Sequence, residues 1–412
     1  MKILFKEIRQ RMNEDQLMKN PLVFIHPLGH LYEAFFRDRF LRESIKMCRI
    51  IFIAAFIAMA HNATAQTETP ADSLQTGSLR YEMRWQTQQS GLTSSFRGLC
   101  AVNEKIAWVS GTKGSYAHTV DGGQTWIADS VAGATNLDFR DVQAFDANLA
   151  YLMSAGPGEL SRIYKTTDGG KSWQLQHTNK IPEGFFDGMA FWDADNGVLI
   201  GDPVNGRLFI LLTSDGGKTW QPLPPKNSPA VVAGEYGFAA SGTGIAVHGK
   251  NQIWIATGGA AARVFYSSDR GKTWNVANTP IVSGSQSSGI FSIAFRDAMH
   301  GAIVGGNYQQ PNETKGNAAI TNDGGKTWEL IKNPASVEYR SCVAYVPNLS
   351  VPMLVTVGPS GSDYSADSGQ TWRRFSNEGY NTLSFAGSTN TGWAAGADGR
   401  IAKFFSAKKS QN

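Results

Sequence analysis

Short apolar runs separated by Gly-rich turns recur along most of the chain and predict β-strands. Seven such runs occur, and they read IAWVSG, LAYLMS, NGVLIG, QIWIAT, HGAIVG, PMLVTVG and TGWAAG. Each is about five residues long, which suits a buried strand better than a helix of ordinary length. A second β-rich run precedes each one, as in FRGLCAV and YRSCVAY, and the fourth of these is expected near residues 236–247. The chain therefore repeats one unit of several short strands.

An eight-residue pattern, called the box here, follows six of these units. The copies read TVDGGQTW, TTDGGKSW, TSDGGKTW, SSDRGKTW, TNDGGKTW and SADSGQTW. Asp followed by Gly between two strands predicts a tight turn, because Gly adopts positive φ freely and the carboxylate accepts hydrogen bonds from backbone N–H groups. Turn stability explains every position, so we expect no catalytic role for the box aspartates. They are Asp121, Asp168, Asp215, Asp269, Asp323 and Asp367.

The repeated unit predicts a closed ring. Four short strands repeated radially are typical of propeller blades. We count seven units but six boxes, and the last unit, near residues 380–406, lacks a box and a fourth strand. The segment MRWQ at 83–86 precedes the first unit and places Trp85 where a box Trp would stand. We therefore predict an all-β fold, a seven-bladed β-propeller of four-stranded blades whose ring is closed by the N-terminal strand. A capped solenoid is the alternative.

The chain before the propeller has the features of a targeting segment. A short basic stretch, KMCR, is followed by the apolar run IIFIAAFIAMA and by the small-residue triplet ATA before Gln66. This pattern is typical of a secretory signal peptide, and the run is too short to span a bilayer. We expect an exported protein, periplasmic or extracellular, with no stable membrane span after cleavage. The predicted divisions are an over-called start or long n-region at 1–46, a signal peptide at 47–65, a linker at 66–80 and one propeller domain at 81–408.

Composition, charge and residue spacing argue against several classes of ligand and against a disulfide. Residues 1–65 hold ten of the 38 Lys and Arg and six of the 34 Asp and Glu, so the rest of the chain carries equal numbers of both charges. A neutral body gives no reason to expect nucleic acid. The histidines lack metal-ligand spacing and no G-x-G-x-x-G opens a helix, so we expect neither a metal nor a cofactor. Cys100 and Cys342 fall on blades that are not adjacent, beyond the ~7 Å that a disulfide spans, and are expected to be free.

The boxes resemble the repeat of bacterial neuraminidases, and residues 85–406 resemble the seven-bladed propellers of the photosystem II assembly and stability factor family. The repeated T-x-D-G-G-K-T-W and the segment GWAAGADGRIAKF carry that likeness. Exported relatives in non-photosynthetic bacteria are often labelled oxidoreductase or glycosyl hydrolase. The resemblance implies a non-catalytic binding or assembly protein. It does not identify a binding partner, because proteins of one fold have many different functions.

A binding site is expected on the face opposite the box turns, where the innermost strand of each blade begins. Aligning these strand starts places Arg97, Arg140 and Arg340 in one slot, and arginines suit carboxylates and phosphates. We predict an electropositive patch that binds an acidic group. The alternative is that Asp141 and Asp187 pair with the arginines inside the ring. The candidate residues are Arg97, Arg140, Asp141, Asp187, Asp202, Tyr339, Arg340 and Asp363.

Two functions remain open from the sequence. The first is an exported, monomeric binding or scaffold propeller whose partner is a protein or an acidic glycan. The second is a sialidase-like glycoside hydrolase, which would need an arginine triad and a Tyr nucleophile paired with Glu. Tyr339 beside Glu338, and Tyr236 beside Glu235, are the possible pairs. The segment FRGL departs from the sialidase F-R-I-P after Arg97, and sialidases are six-bladed, so we favour the first function.

Overall fold

The computed structural model describes residues 81–333 and 337–408, and the interpretations of 1–46, 47–65 and 66–80 concern segments outside this part. Within it the chain forms seven antiparallel sheets and one turn of 3-10 helix at Gly158–Leu160. The seven sheets confirm the predicted all-β, seven-bladed propeller. No helix in the described part is long and apolar enough to cross a membrane.

The first three blades each contain four strands in chain order, and a separate strand, β1 (Tyr81–Gln89), precedes them. Blade one consists of β2 (Phe96–Ala101), β3 (Ala107–Gly111), β4 (Ser115–Thr119) and β5 (Ile127–Ser130). Blade two consists of β6 (Phe139–Ala144), β7 (Ala150–Ser154), β8 (Arg162–Thr166) and β9 (Gln174–Thr178). Blade three consists of β10 (Phe186–Phe191), β11 (Gly197–Val204), β12 (Arg207–Thr213) and β13 (Gln221–Pro222).

Blades four and five are linked by two extra short strands, β14 (Glu235–Tyr236) and β17 (Gly258–Gly259), which extend the sheet of blade five. Blade four consists of β15 (Ile245–His248), β16 (Gln252–Ala256), β18 (Arg263–Ser267) and β19 (Asn275–Asn278). Blade five consists of β20 (Ser288–Phe295), β21 (Gly301–Asn307), β22 (Ala318–Thr321) and β23 (Glu329–Leu330). The innermost strand of blade four is thus shorter, and begins later, than the sequence predicted.

Blades six and seven complete the ring. Blade six consists of β24 (Cys342–Tyr345), β25 (Leu354–Gly358), β26 (Gly361–Ser365) and β27 (Arg373–Ser376). Blade seven consists of β28 (Thr382–Phe385), β29 (Gly392–Ala395), β30 (Arg400–Lys408) and, as its fourth strand, β1. Each innermost strand contacts those of the two neighbouring blades, and β28 contacts β2. The seven innermost strands therefore surround a central channel.

The hydrophobic cores lie between blades. Seven apolar clusters each join residues of two adjacent blades. The second strands supply three nearly inaccessible indoles, those of Trp108, Trp254 and Trp393. Each such side chain contributes roughly 2–3 kcal/mol through burial. Every blade depends on both neighbours for its core, so the ring is stable only as a closed unit.

The predicted closing strand is present. β1 pairs antiparallel with β30 over nine residue pairs, and Trp85 lies opposite Phe404. The Trp85 ring lies 5.4 Å from those of Tyr380 and Phe404, and its Nε1 donates to Ser362 Oγ at 2.9 Å. Trp85 therefore fills the space between blades six and seven, as a box Trp would.

The box aspartates accept hydrogen bonds within their own turns. In the third box, Asp215 accepts from Thr219 N at 3.0 Å, from Thr219 Oγ1 at 2.7 Å and from Thr213 Oγ1 at 3.0 Å. In the first box, hydrogen bonds from Thr125 lower the pKa of Asp121 to about 2. These contacts support a turn-holding role, which stays a prediction for all six.

The closing strand yields a stability prediction. Trp85→Ala should lower the free energy of unfolding by about 3 kcal/mol, because it leaves a cavity among Phe375, Tyr380 and Phe404. Chemical denaturation of purified protein measures this. Trp85→Phe keeps the ring contacts and should retain most of the stability. A Trp85→Ala protein as stable as the parent would mean that β1 is dispensable for closure.

Candidate ligand-binding cavity

Residues 237–243, between β14 and β15, cross the middle of the ring; we call them the central segment. The segment leads into blade four and contacts the other six blades; blade three is reached where Gly237 N donates to Asp202 Oδ1 at 3.2 Å. Ser241 Oγ donates to Ser341 O at 2.8 Å, Thr382 Oγ1 to Ser241 O at 3.4 Å, and Thr243 Oγ1 lies 2.7 Å from Ser292 Oγ. Blades one and two reach it through arginines, described below. The segment therefore blocks the channel from within.

Two glycines allow the central segment to pass this close to the wall. Gly242 has φ of +74°, and a Cβ added there would lie 2.3 Å from Asp141 Oδ1. A Cβ added to Gly237 would lie 2.3 Å from Asp187 Oδ2. Side chains at either position would clash with a carboxylate of the wall. The two glycines are the signal that the sequence offers for this segment, and the repeat pattern does not include them.

The central segment separates two cavities. The cavity on the side of the box turns, about 810 Å³, is lined by the ends of the innermost strands, by Gly242 and by Thr243. The other, about 520 Å³, lies where the innermost strands begin, on the face opposite the boxes. We call this the opposite-face cavity. Of the candidate residues, it brings together Arg97, Arg140, Asp187, Asp202 and Tyr339.

A recurrent β-bulge directs side chains into the opposite-face cavity. In β2, Phe96 pairs with Gly111 and Gly98 with Ser110, so Arg97 is an extra residue in the strand. The same irregularity occurs in β6, β10 and β20, where it falls on Arg140, Asp187 and Phe291. All four bulged residues line the cavity. Bulges commonly re-aim side chains in this way beside functional sites.

Arg97 and Arg140 form the positive wall of the cavity. Arg97 Nη1 donates to Ala240 O at 3.3 Å, and Arg140 Nη1 donates to Ala239 O at 3.1 Å. Arg140 Nε also donates to Asp138 Oδ2 at 2.8 Å. Burial and the neighbouring charge of Arg140 lower the pKa of Arg97. Of the two guanidinium groups, only that of Arg140 is hydrogen-bonded to a carboxylate, which leaves N–H donors for an anion.

Arg340 does not join them, and the predicted three-arginine patch is corrected on this point. The backbone N–H of Arg340 donates to the end of the preceding blade's second strand, as do those of Phe96, Ile290 and Tyr380. Arg340 therefore corresponds to Phe96, one residue before Arg97. A shift of one residue turns a strand side chain to the other face. The alignment of strand starts in the sequence placed Arg340 level with Arg97 because it did not include the bulge in β2.

Arg340 instead lies in a buried ion-pair network of blade six. Its side chain is inaccessible, Nε donates to Asp363 Oδ2 at 2.7 Å, and Nη1 donates to Ser360 Oγ at 2.9 Å. Arg374 Nη2 lies 2.9 Å from Glu338 Oε2, and its Nε lies 3.3 Å from Asp363 Oδ1. Asp363, also a candidate, is likewise inaccessible. Both residues stabilise the blade and neither reaches the cavity.

Asp141 links blades and does not pair with an arginine. Its two carboxylate oxygens accept from Val142 N and Met189 N, each at 2.8 Å. Burial raises the pKa of Asp141 to about 8. The carboxylate touches Gly242 and lines the cavity on the side of the boxes.

Asp187 and Asp202 form a pair of carboxyl groups in the opposite-face cavity. Asp202 Oδ1 accepts from Gly237 N at 3.2 Å, and burial raises the pKa of Asp202 to about 6. Asp187 is almost inaccessible, and its Oδ2 has no hydrogen-bond partner among the described residues. Burial and the charge of Asp202 raise the pKa of Asp187, which Arg140 partly opposes.

Neither predicted Tyr–Glu pair is arranged for nucleophilic catalysis. Glu235 is buried and accepts from Arg263 Nε at 2.9 Å and from Thr257 Oγ1 at 2.6 Å, whereas the Tyr236 hydroxyl donates to Gln286 O. Glu338 is engaged by Arg374 and Ser360. Each glutamate is thus committed to partners other than the adjacent tyrosine. In the part of the chain that the structure describes, no three His, Cys, Asp or Glu residues cluster as metal ligands.

The geometry defines a class: a seven-bladed β-propeller with an internally blocked channel and an open, charged cavity opposite its box turns. No family model and no curated protein matches the sequence. Among solved structures, YCF48 bound to D1 peptide is similar, with a TM-score of 0.57 and 19% identity over 78% of this chain and 96% of that one. YCF48 from Cyanidioschyzon merolae is also similar, with a TM-score of 0.54 and 19% identity over 78% and 98%. At this identity the likeness establishes the fold, and it confirms the predicted resemblance at that level.

The two kinds of arginine should differ in their effect on stability. Arg340→Ala leaves Asp363 buried beside a single partial partner, and should lower the free energy of unfolding by about 3–5 kcal/mol. Arg97→Ala removes one hydrogen bond at a cavity wall and should cost about 1 kcal/mol. Urea denaturation of both variants measures the difference. Equal stability of the two would refute the separation of Arg340 from the cavity.

The carboxyl groups predict how stability depends on pH. Asp187, Asp202 and Asp141 have raised pKa values, so their contribution is full below about pH 4 and is lost as pH rises through the folded values, about 6 for Asp202 and about 8 for Asp141. The box aspartates have lowered pKa values, so their contribution to the stability of the folded protein is lost as pH falls below about 4.

The melting temperature should therefore be highest at about pH 4 to 5, which lies between the lowered pKa values of the box aspartates and the raised pKa values of the buried carboxyls. It should fall from there towards pH 8. Thermal denaturation across this range measures it. Asp202→Asn, which keeps an acceptor for Gly237 N, should flatten the decline around pH 6. A melting temperature that rises from pH 5 to pH 8 would contradict the burial of these carboxyls.

Proposed function

We propose that this protein is an exported, non-catalytic propeller that binds a segment of a partner protein in the opposite-face cavity. The observation that carries the proposal is the pair of bulged arginines, Arg97 and Arg140, on one wall of that cavity. Their strands belong to adjacent blades, so rigid sheet holds both guanidinium groups in place before a ligand arrives. The proposed ligand group is a carboxylate, which arginine binds through paired N–H donors.

A peptide segment fits the cavity better than a small ligand held by charge alone. The wall includes aromatic side chains, which contribute affinity and contact area. The central segment presents backbone carbonyls to Arg97 and Arg140, so both arginines already bind peptide groups in this structure. A propeller of the same fold, YCF48, has been solved bound to D1 peptide. We propose peptide binding here without assigning the same partner.

Export and oligomeric state belong to the proposal on sequence grounds. The basic stretch, apolar run and small-residue triplet before Gln66 support a signal peptide. Binding would then take place in the periplasm or outside the cell, with the propeller acting as a monomer.

The alternative of a sialidase-like hydrolase has less support. It needs three arginines around one carboxylate, but Arg340 lies in the network of blade six. It also needs an activated tyrosine, and burial raises the pKa of Tyr339 far above its usual range. An acidic glycan would use the same two arginines without being cleaved.

The test uses fluorescein-labelled hexapeptide pools of mixed sequence, with either a free or an amidated carboxyl terminus, followed by fluorescence anisotropy. The parent protein should prefer the free-carboxylate pool by about tenfold, as expected for a charge-assisted pair of hydrogen bonds. Arg97→Ala/Arg140→Ala should lose this preference. Arg84→Ala, an exposed arginine of β1, is the matched control and should retain it. Absence of peptide binding, together with release of a fluorophore from a sialoside, would establish the hydrolase instead.

A further inference from the structure

The opposite-face cavity contains a buried carboxylate oxygen that nothing in the described protein satisfies. Asp187 is 2% exposed, it lines the cavity, and its Oδ2 accepts no hydrogen bond from the described residues. The bulge in β10 places this side chain there, so its position is built into the strand. Buried polar atoms are ordinarily paired, because an unpaired one costs free energy. The unpaired oxygen therefore points to a donor that arrives from outside.

Asp202 brings a second carboxyl group to the same place. It accepts from Gly237 N, while Asp187 Oδ2 is so close to Gly237 that an added Cβ would lie 2.3 Å from it. The two side chains thus meet at one glycine of the central segment. Arg140 does not neutralise them by hydrogen bonds, since its Nε and Nη1 donate to Asp138 and Ala239. Two carboxyls without a bonded cation form a negative subsite beside the arginine wall when they ionise, and a bound cation favours that ionised form.

An aromatic wall adjoins this negative subsite. The rings of Tyr236 and Phe238 lie 5.5 Å apart, those of Phe238 and Phe291 lie 3.9 Å apart, and those of Phe291 and Tyr308 lie 6.1 Å apart. All four side chains line the cavity. Carboxylates next to aromatic faces are the surroundings in which proteins hold ammonium and guanidinium groups, because both attract a cation. A bare divalent cation fits less well, because it requires more oxygen ligands than two side chains supply.

We propose that Asp187 and Asp202, with the adjoining aromatic wall, bind the cationic side chain of a lysine or arginine in the ligand. This rests on the proposed function and specifies its ligand: a segment that presents a carboxylate to Arg97 and Arg140 and a basic side chain to the carboxyl pair. Opposite charges on two walls of one cavity also fix the direction in which the segment lies. A purely acidic segment would meet repulsion at the carboxyl pair.

The experiment uses fluorescein-labelled hexapeptide pools with a free carboxyl terminus. Each pool fixes lysine, or norleucine of similar length without the charge, at one of the last four positions. Anisotropy on the parent protein should show about tenfold tighter binding of one lysine pool than of its norleucine match, the size expected for a partly desolvated cation. Asp187→Asn and Asp202→Asn should each reduce that ratio to near one.

Three comparisons make the outcome decisive. The two Asn variants should still prefer free over amidated carboxyl termini, because Arg97 and Arg140 are untouched. Asp129→Asn, an exposed aspartate of β5, is the matched control and should keep the lysine preference. Equal binding of lysine and norleucine pools at every position, or a lysine preference that survives both Asn variants, would overturn this inference while leaving carboxylate capture in place. Failure of every pool to bind would overturn the proposed function and this inference together.

Discussion

The pairing of β1 with β30 is the constraint on which the rest of the structure depends. Seven hydrophobic clusters each lie between two adjacent blades, so an open ring would expose two apolar faces at once. The nine pairs from Tyr81 to Gln89 join the two ends of the propeller and give blade seven its fourth strand. Only in a closed ring do the bulges of β2, β6, β10 and β20 point towards a common centre. The geometry of the cavity therefore depends on a contact made at the outer edge of blade seven.

Sequence periodicity was sufficient for the architecture. Each box combines a turn-forming Asp-Gly with a following Trp, and the count of seven second strands against six boxes located the closing strand. These signals are local, because turn chemistry and strand burial act within a few residues. The same local rule predicted that Trp85 takes the place of a box Trp, and in the structure it packs against Tyr380 and Phe404.

The site was harder to predict from the sequence than the fold, because it depends on strand register and on a segment outside the repeats. A bulge adds one residue to a strand without changing its composition, so Arg97 and Arg340 were aligned although they face different surroundings. The central segment lies in a stretch without the repeat pattern, and its path is determined by contacts with the six blades other than blade four. The unpaired oxygen of Asp187 results from both effects, since a bulge aims the side chain and Gly237 limits the space around it.

The identity of the closing strand also sets an order of events during synthesis. β1 is made before any blade, yet the strand with which it pairs, β30, is the last strand in the described part of the chain. The amide and carbonyl groups of β1 therefore cannot pair with β30 until more than three hundred further residues have been synthesised, which takes roughly half a minute at ordinary translation rates. During that time blade one has no neighbour on one side. The propeller consequently cannot complete blade seven until β30 has been made.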